Sequence, residues 1–280
     1  MNKELLIEIL SQPTFFGREE KIKKFLINYF KEKMYAYHLD KKGNLYVQKG
    51  NTEFFPCVTA HLDSVHQSAV YLIEHDLNKT IIEHDDRLYA RDPVTNVRIG
   101  IAGDDLCGVY LCLEMLERVD NLKVAFFVEE EFGVKGAQQC DKDFLKDVGY
   151  FIAFDGPTAN WYTETLDGLP IYSEDFHNEV KGILKTHGIT NFSHDPYTDI
   201  VVVRDLFEVS SCNLPAAYFK WHSKEEYVDL NYMDNCISLG VAFLNKLGCK
   251  KYPFFTWSEM RKKIKQERNS FWKNNSLDYV

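Results

Sequence analysis

Five short segments of this chain carry side chains that could grip a metal ion or move a proton: His61-Leu62-Asp63, Asp104-Asp105, Glu129-Glu130-Glu131, Asp155 and His222. All are nitrogen or oxygen donors, with no thiolate among them. Such a set suits zinc, with cobalt or manganese as possible substitutes. Two histidines and three carboxylates exceed what one catalytic ion needs, but they serve two ions if one carboxylate bridges. A pair of ions about 3.5–4 Å apart can share a water, lower its pKa and polarise a carbonyl. A further glutamate must stay free of the ions to take that water's proton. Each segment alone has a plainer reading. His-x-Asp is commonly a surface turn or a satisfied histidine, Asp-Gly is a turn, and three glutamates in a row suit a solvated strand end. Buried, those glutamates would be costly, because adjacent carboxylates repel and lose hydration unless a cation is near.

The elements around these residues should bring them together. Val124-Ala125-Phe126-Phe127-Val128 predicts a strand buried on both faces, with the glutamates at its carboxyl end. Phe54–Ala60 predicts another that runs into His61, Tyr150–Phe154 one that ends at Asp155, and Ala216–Trp221 one that ends at His222. Asp104-Asp105 precede a helical pattern over Leu106–Arg118, where the helix dipole favours a carboxylate. Carboxyl ends of strands share one edge in open α/β sheets, and ligands bind there. Residues far apart in sequence are therefore expected to converge.

Further helices are expected over 2–12, around Ile22–Phe30, over Phe176–His187 before Gly188, and over Asn231–Leu247 before Gly248. Hairpins are expected over 35–48, turning at Asp40–Gly43, and over 80–90, turning at Asp85-Asp86. The rest of 66–99 gives little signal. No internal repeat, linker or low-complexity tract interrupts the chain. The expectation is one catalytic-size domain over 1–280 of the α/β class, in three layers, with a central mixed β-sheet flanked by helices. Residues 252–280 form a basic and aromatic tail, expected to be helical.

Composition narrows the options. The chain has 280 residues, of which 45% are hydrophobic and 27% charged, the balance of an ordinary globular protein. A net charge of -9 with no basic domain argues against a nucleic-acid partner. No apolar run is long enough to span a membrane. The seven cysteines are odd in number and sit mostly in apolar runs, as buried thiols in a reducing cytoplasm do. The amphipathic, glutamate-bearing start is no secretory signal, so a cytoplasmic location is expected.

Thr59-Ala60-His61-Leu62-Asp63-Ser64, Gly103-Asp104-Asp105, Glu130-Glu131-Phe132-Gly133-Val134-Lys135-Gly136-Ala137, Asp155-Gly156 and His222-Ser223-Lys224-Glu225-Glu226 resemble, in order, the motifs of the co-catalytic di-zinc exopeptidases. That superfamily includes peptidase T and the bacterial leucyl and glutamyl aminopeptidases. The resemblance runs from about residue 11 to residue 247. It implies two zinc ions, one held by His61 and Asp155, the other by Glu131 and His222, with Asp104 bridging. Glu130 is then the general base, and Asp63 the carboxylate that orients His61. Asp105 resembles the residue after the bridging aspartate, where the superfamily often has a strained peptide bond. The Glu-Glu-x-Gly-x-x-Gly-Ala spacing selects Glu130 and Glu131, with Glu129/Glu130 as the other possible register.

The resemblance further implies an exopeptidase that cleaves N-terminal residues from peptides. Two alternatives stay open: a deacylase of N-acylated amino acids, and a non-catalytic binding module on the same fold. Tyr197-Thr198-Asp199 and Asn213-Leu214-Pro215 resemble segments lining the specificity pocket, and Tyr197 could donate to an oxyanion there. His66, His75 and His84 could edge the cleft or simply be solvated. Many relatives carry a large inserted domain between the positions of Asp155 and His222, or of Asp63 and Asp104. Both stretches are short here, so no large lid domain is expected, and the oligomeric state is left open.

Overall fold

The computed structural model of the protein describes residues 1–166, 168–193 and 198–275, with side chains described throughout except at 193 and 267–275. In chain order the early strands are β1 (Tyr37–Leu39), β2 (Leu45–Lys49), β3 (Phe55–His61), β4 (Thr80–His84), β5 (Arg87–Arg91), β6 (Arg98–Ile99), β7 (Leu122–Phe127) and β8 (Val148–Gly156). Then come β9 (Trp161–Thr163), β10 (Thr165–Leu166), β11 (Leu169–Pro170), β12 (Asn191–Ser193), β13 (Ser211–Pro215), β14 (Tyr218–Phe219) and β15 (Tyr227–Asp229). The first helices are α1 (Lys3–Ser11), α2 (Glu20–Glu32), α3 (Ser68–Glu74), α4 (Gly103–Arg118) and α5 (Lys135–Gln138). They are followed by α6 (Lys142–Leu145), α7 (Glu174–Thr186), α8 (Asp199–Phe207), α9 (Leu230–Leu247) and α10 (Trp257–Asn275).

The main sheet is mixed, in the order β1-β2-β7-β3-β8-β13. Its first two pairings are antiparallel, and β7, β3, β8 and β13 run parallel to one another. The run of apolar residues in β7 is explained by burial on both faces. Val124 and Phe126 join Val58, Ala60, Ile152 and Phe154 in the larger core, under α1, α2, α4 and α9. Ala125 and Phe127 point the other way, with Cys57 and Phe151, toward a smaller core that takes in Ala137, Leu145 and Val203 of α5, α6 and α8. Each buried aliphatic or phenyl side chain here contributes about 1.5–3 kcal/mol. These are the three layers and mixed sheet expected from the sequence. No helix among the described residues is long and apolar enough to cross a membrane.

Helix α4 is enclosed on all sides: every residue from Gly103 to Leu116 is buried. Gly240 lets α9 close on it, since a Cβ there would stand 2.7 Å from Phe154 and 2.9 Å from Met115. A second sheet, β14-β15-β5-β4 with β6 beside β5, flanks the first. At the far end, the Arg204 guanidinium of α8 is fully buried and lies over the rings of Trp257 (3.8 Å) and Phe254 (4.7 Å), which fastens α10 to the body. Six of the seven cysteines are buried and all are free; only Cys249 is exposed.

Three expectations are corrected. Ala216–Trp221 is not one strand: Ala217, Lys220 and His222 have positive φ, which breaks extension and leaves only the two-residue β14, in the smaller sheet. The main-sheet strand is instead β13, Ser-Cys-Asn-Leu-Pro, whose polar composition and proline disguised a wholly buried edge. Asp155 lies inside β8 rather than after it. The weakly patterned 66–99 stretch also holds α3 and β6 besides its hairpin.

The two motif glycines have separate physical reasons. Gly133 turns at φ +90°, and Gly136 packs α5 so tightly on the end of β7 that a Cβ would stand 2.3 Å from the Val128 carbonyl oxygen. Gly182 of α7, by contrast, faces open space. Gly136→Ala is expected to destabilise the protein by about 1–3 kcal/mol, and Gly182→Ala to stabilise it by about 0.5–1 kcal/mol. Urea denaturation of both variants measures this, and a Gly136→Ala protein as stable as the wild type would contradict the close packing.

Candidate metal centre

The seven ligand, base and orienting residues singled out from the sequence, Tyr197 apart, meet at the carboxyl edge of the parallel strands. His61 is the last residue of β3 and Asp155 sits near the end of β8. Glu130 and Glu131 follow β7 through a turn in which Glu129 takes φ 52°. Asp104 enters at the head of α4, and the peptide bond between it and Asp105 is cis. His222 arrives from the loop after β14. Tyr197 lies outside the described residues.

Asp104 stands at the centre. Its Oδ1 is 3.0 Å from His61 Nε2, and its Oδ2 is 3.3 Å from His222 Nε2. On one side, Asp155 Oδ1 lies 3.8 Å from His61 Nε2. On the other, Glu131 Oε1 lies 2.9 Å from His222 Nε2. Ligand atoms of His61, Asp104 and Asp155 all fall within 4.8 Å of one another, and so do those of Asp104, Glu131 and His222. Two clusters thus share one carboxylate. Glu130 faces the first, with Oε2 4.0 Å from His61 Nε2. Glu129 instead turns away to Lys42 at 2.6 Å.

The supports are hydrogen bonds from neighbouring backbone and side chains. Asp63 is fully buried; its Oδ1 accepts from the Glu130 amide at 2.9 Å and its Oδ2 from the Glu131 amide at 3.0 Å. His61 Nδ1 stands 3.3 Å from Asp63 Oδ1, an ion-pair distance without hydrogen-bond geometry. The His61 amide donates to Asp105 Oδ2 at 3.1 Å. Asp155 is held by Asn213, whose Oδ1 accepts its amide at 2.9 Å, and by the Tyr218 hydroxyl, which donates to its Oδ1 at 3.2 Å.

Charge is out of balance here. Among the described residues, Asp63, Asp104, Asp105, Glu130, Glu131, Asp155 and Asp199 crowd around the imidazoles of His61 and His222. Burial alone would lower the His61 imidazole, but Asp104 and Asp63, with the charges of Glu130 and Asp155, push it well above its ordinary value. Asp104 and Glu131 raise His222 to about 10. Burial resists ionisation of Asp104, yet hydrogen bonds from the two imidazoles hold it below the usual carboxylate range. Burial forces Asp155 well upward, with Asp104 adding to it. Burial likewise raises Glu130 against the pull of His61, helped by Asp199. A divalent cation at this centre would favour the ionised carboxylates and the neutral imidazoles. The donors are oxygen and imidazole nitrogen in two groups of three, a set that fits zinc.

A cavity of about 290 Å³ opens over these groups; Pro157, Trp161, Tyr218, Trp221 and Thr198 form its other walls. Two contributors fell in segments picked out from the sequence but had no role assigned there. Asp199 is buried with Oδ1 unpartnered, but an aspartate at a helix start reads as an ordinary favourable charge. Glu226 lay within a charged run and is in fact fully buried.

The sequence model of "Peptidase family M28" matches residues 44–236. The chain belongs to peptidase family M28. This M28 peptidase is thereby a metallopeptidase of a zinc-dependent family. No curated protein sequence matches it. In fold it is similar to the aminopeptidase PepT from Bacillus cereus, with TM-score 0.71 and 12% identity over 88% of this chain and 97% of that one. A tripeptidase from Staphylococcus aureus superposes with TM-score 0.68 and 14% identity, covering 86% and 96%. An aminopeptidase from the archaeon Desulfurococcus kamchatkensis gives TM-score 0.64 and 17% identity, covering 88% and 94%.

The raised imidazoles make metal uptake a proton exchange. In the metal-free M28 peptidase, stabilisation by the His222 imidazolium is complete below its ordinary 6.5 and is lost as pH rises through about 10. Zinc binding should therefore release protons near neutral pH and tighten as pH rises. Titration calorimetry in buffers of different ionisation enthalpy measures the release, and heats independent of buffer would rule it out.

Proposed function

We propose that this M28 peptidase is an aminopeptidase that removes N-terminal residues from peptides, with two zinc ions at its centre. His61 and Asp155 would hold one ion, Glu131 and His222 the other, and Asp104 both. The observation that carries this reading is the division of Asp104, with one oxygen toward His61 and the other toward His222. Zinc held there would supply Lewis acidity toward a peptide carbonyl and a water of lowered pKa.

The chain's own residues supply the rest. Glu130 is the general base: it accepts the proton of the attacking water and returns it to the leaving amine nitrogen. Asp63 holds the amides of Glu130 and Glu131, so base and ligand keep a fixed spacing, and it faces the outer nitrogen of His61. Asn213 and Tyr218 fix Asp155 from the sheet side. The aromatic walls Trp161, Tyr218 and Trp221, with Pro157, suit a bulky apolar N-terminal side chain and shield the scissile bond from bulk water. The likeness in fold to two aminopeptidases and a tripeptidase supports the choice of free-amine peptides.

Glu130→Gln should keep the zinc content of the wild type while kcat drops by about 10²–10⁴-fold or more. Metal analysis and steady-state kinetics on the same preparation check this, and undiminished turnover would remove Glu130 from the mechanism. On a panel of matched dipeptides, those with a free amine should be cleaved and N-acylated ones left intact. Turnover confined to the blocked series would make the protein a deacylase instead.

A further inference from the structure

Glu226 is a fully buried carboxylate of this region that the chemistry above does not use. Its Oε1 accepts from the Asp104 amide at 3.0 Å. Its Oε2 accepts from the Ala102 amide at 3.0 Å and lies 2.7 Å from His66 Nε2. One side chain therefore spans the turn that delivers Asp104. That turn is difficult to hold. Ala102 has φ 60°, in the left-handed region that alanine avoids. Its walls are also tight: a Cβ on Gly100 would stand 2.2 Å from the His66 ring, and one on Gly103 would stand 2.7 Å from Tyr218 Cβ. The buried Lys79 ammonium ties the same turn from the other side by donating to the Ile101 carbonyl.

Glu226 also belongs to the loop that carries His222. That loop is closed on itself, with the Ser223 hydroxyl donating to the Lys220 carbonyl at 2.6 Å and the Glu226 amide to the Ser223 carbonyl at 3.2 Å. Arg98 fastens its outer side through the Glu225 carbonyl at 2.8 Å. His222 and the Asp104 turn thus come from different elements, the loop after β14 and the link between β6 and α4, and Glu226 joins them directly. A small rotation at Asp104 would misplace both of its oxygens, because each serves a different cluster.

We propose that Glu226 is a positioning residue that sets Asp104 against His222, and so fixes the affinity of this centre for its metal ions. This rests on the two-ion reading given above. Gln at 226 keeps the shape but turns an NH₂ group toward a backbone or imidazole donor, so one hydrogen bond becomes a donor–donor contact.

The test compares the full-length wild type with Glu226→Gln, Glu225→Gln and His66→Ala, using zinc and cobalt(II) as probes. Glu225 is the control, since it is half exposed and pairs with Arg98 on the surface. Glu226→Gln should bind zinc about 10–100-fold more weakly in chelator competition. Its cobalt absorption spectrum should change, and kcat should fall with little change in KM. Glu225→Gln should match the wild type in all three. His66→Ala, which leaves the carboxylate but removes one partner, should lose about three- to tenfold in affinity, and this variant decides the matter if Glu226→Gln does not fold. A purely structural role would lower the unfolding midpoint of the metal-free protein and leave the folded protein's metal affinity and cobalt spectrum untouched. That outcome overturns the inference, as does wild-type affinity in His66→Ala when Glu226→Gln cannot be purified. A wild type that binds two ions while Glu226→Gln behaves identically sinks this inference alone. A wild type that takes up no divalent ion sinks the two-ion reading and this with it.

Discussion

An excess of buried negative charge at one end of an otherwise apolar sheet is the constraint on which the rest of the molecule turns. Carboxylates lose far more than hydrocarbon when water is removed, and neighbouring ones repel. The metal-free chain eases this with two imidazolium ions and with raised protonation of Asp155 and Glu130. These measures are partial. The enclosing layers supply enough apolar burial to hold such a cluster together, and the cluster in turn leaves a strong preference for multivalent cations. Fold stability and metal affinity are therefore opposed quantities here, because side chains that would relieve the repulsion would also weaken the grip.

Backbone geometry concentrates at the same edge. Glu129, Ala102, Val134 and His222 all take positive φ close to a group of the centre, and each is held by neighbours rather than by its own preference. Asp63 illustrates how: it fixes two consecutive amides after β7 from a position two residues beyond the end of the adjacent strand. Parallel strand pairing sets the coarse approach of the ligands, and hydrogen bonds to main-chain amides set the fine one. Side chains delivered in this way have little rotational freedom left to lose on binding an ion.

Much of this was legible in the sequence because the strands β3, β7 and β8 are nearly pure apolar runs, and the polar residues that end them stand out. His61, Glu130, Glu131 and Asp155 could be placed at one edge for that reason, and Asp104 by the helical spacing after it. His222 was placed through an expected strand of which only the two-residue β14 exists, in the smaller sheet. The real edge strand, Ser211–Pro215, is buried but polar, because Asn213 works as a hydrogen-bonding side chain inside the sheet. Asp199 and Glu226 stood inside segments that the resemblance picked out, but neither could be given a role. Their burial is created by elements distant in sequence, and local composition carries no trace of that enclosure. The extra glutamate was ambiguous for a similar reason: only the fold brings Lys42 to Glu129.

The cysteines have a practical consequence. Burial keeps the thiols at Cys57, Cys107, Cys112, Cys140, Cys212 and Cys236 protonated well past neutral pH, which mutes them both as nucleophiles and as competitors for soft metals. Cys249, beyond the end of α9, is the exposed one. A maleimide dye offered to the folded protein would therefore find a single address, giving one reporter per chain without any engineered residue.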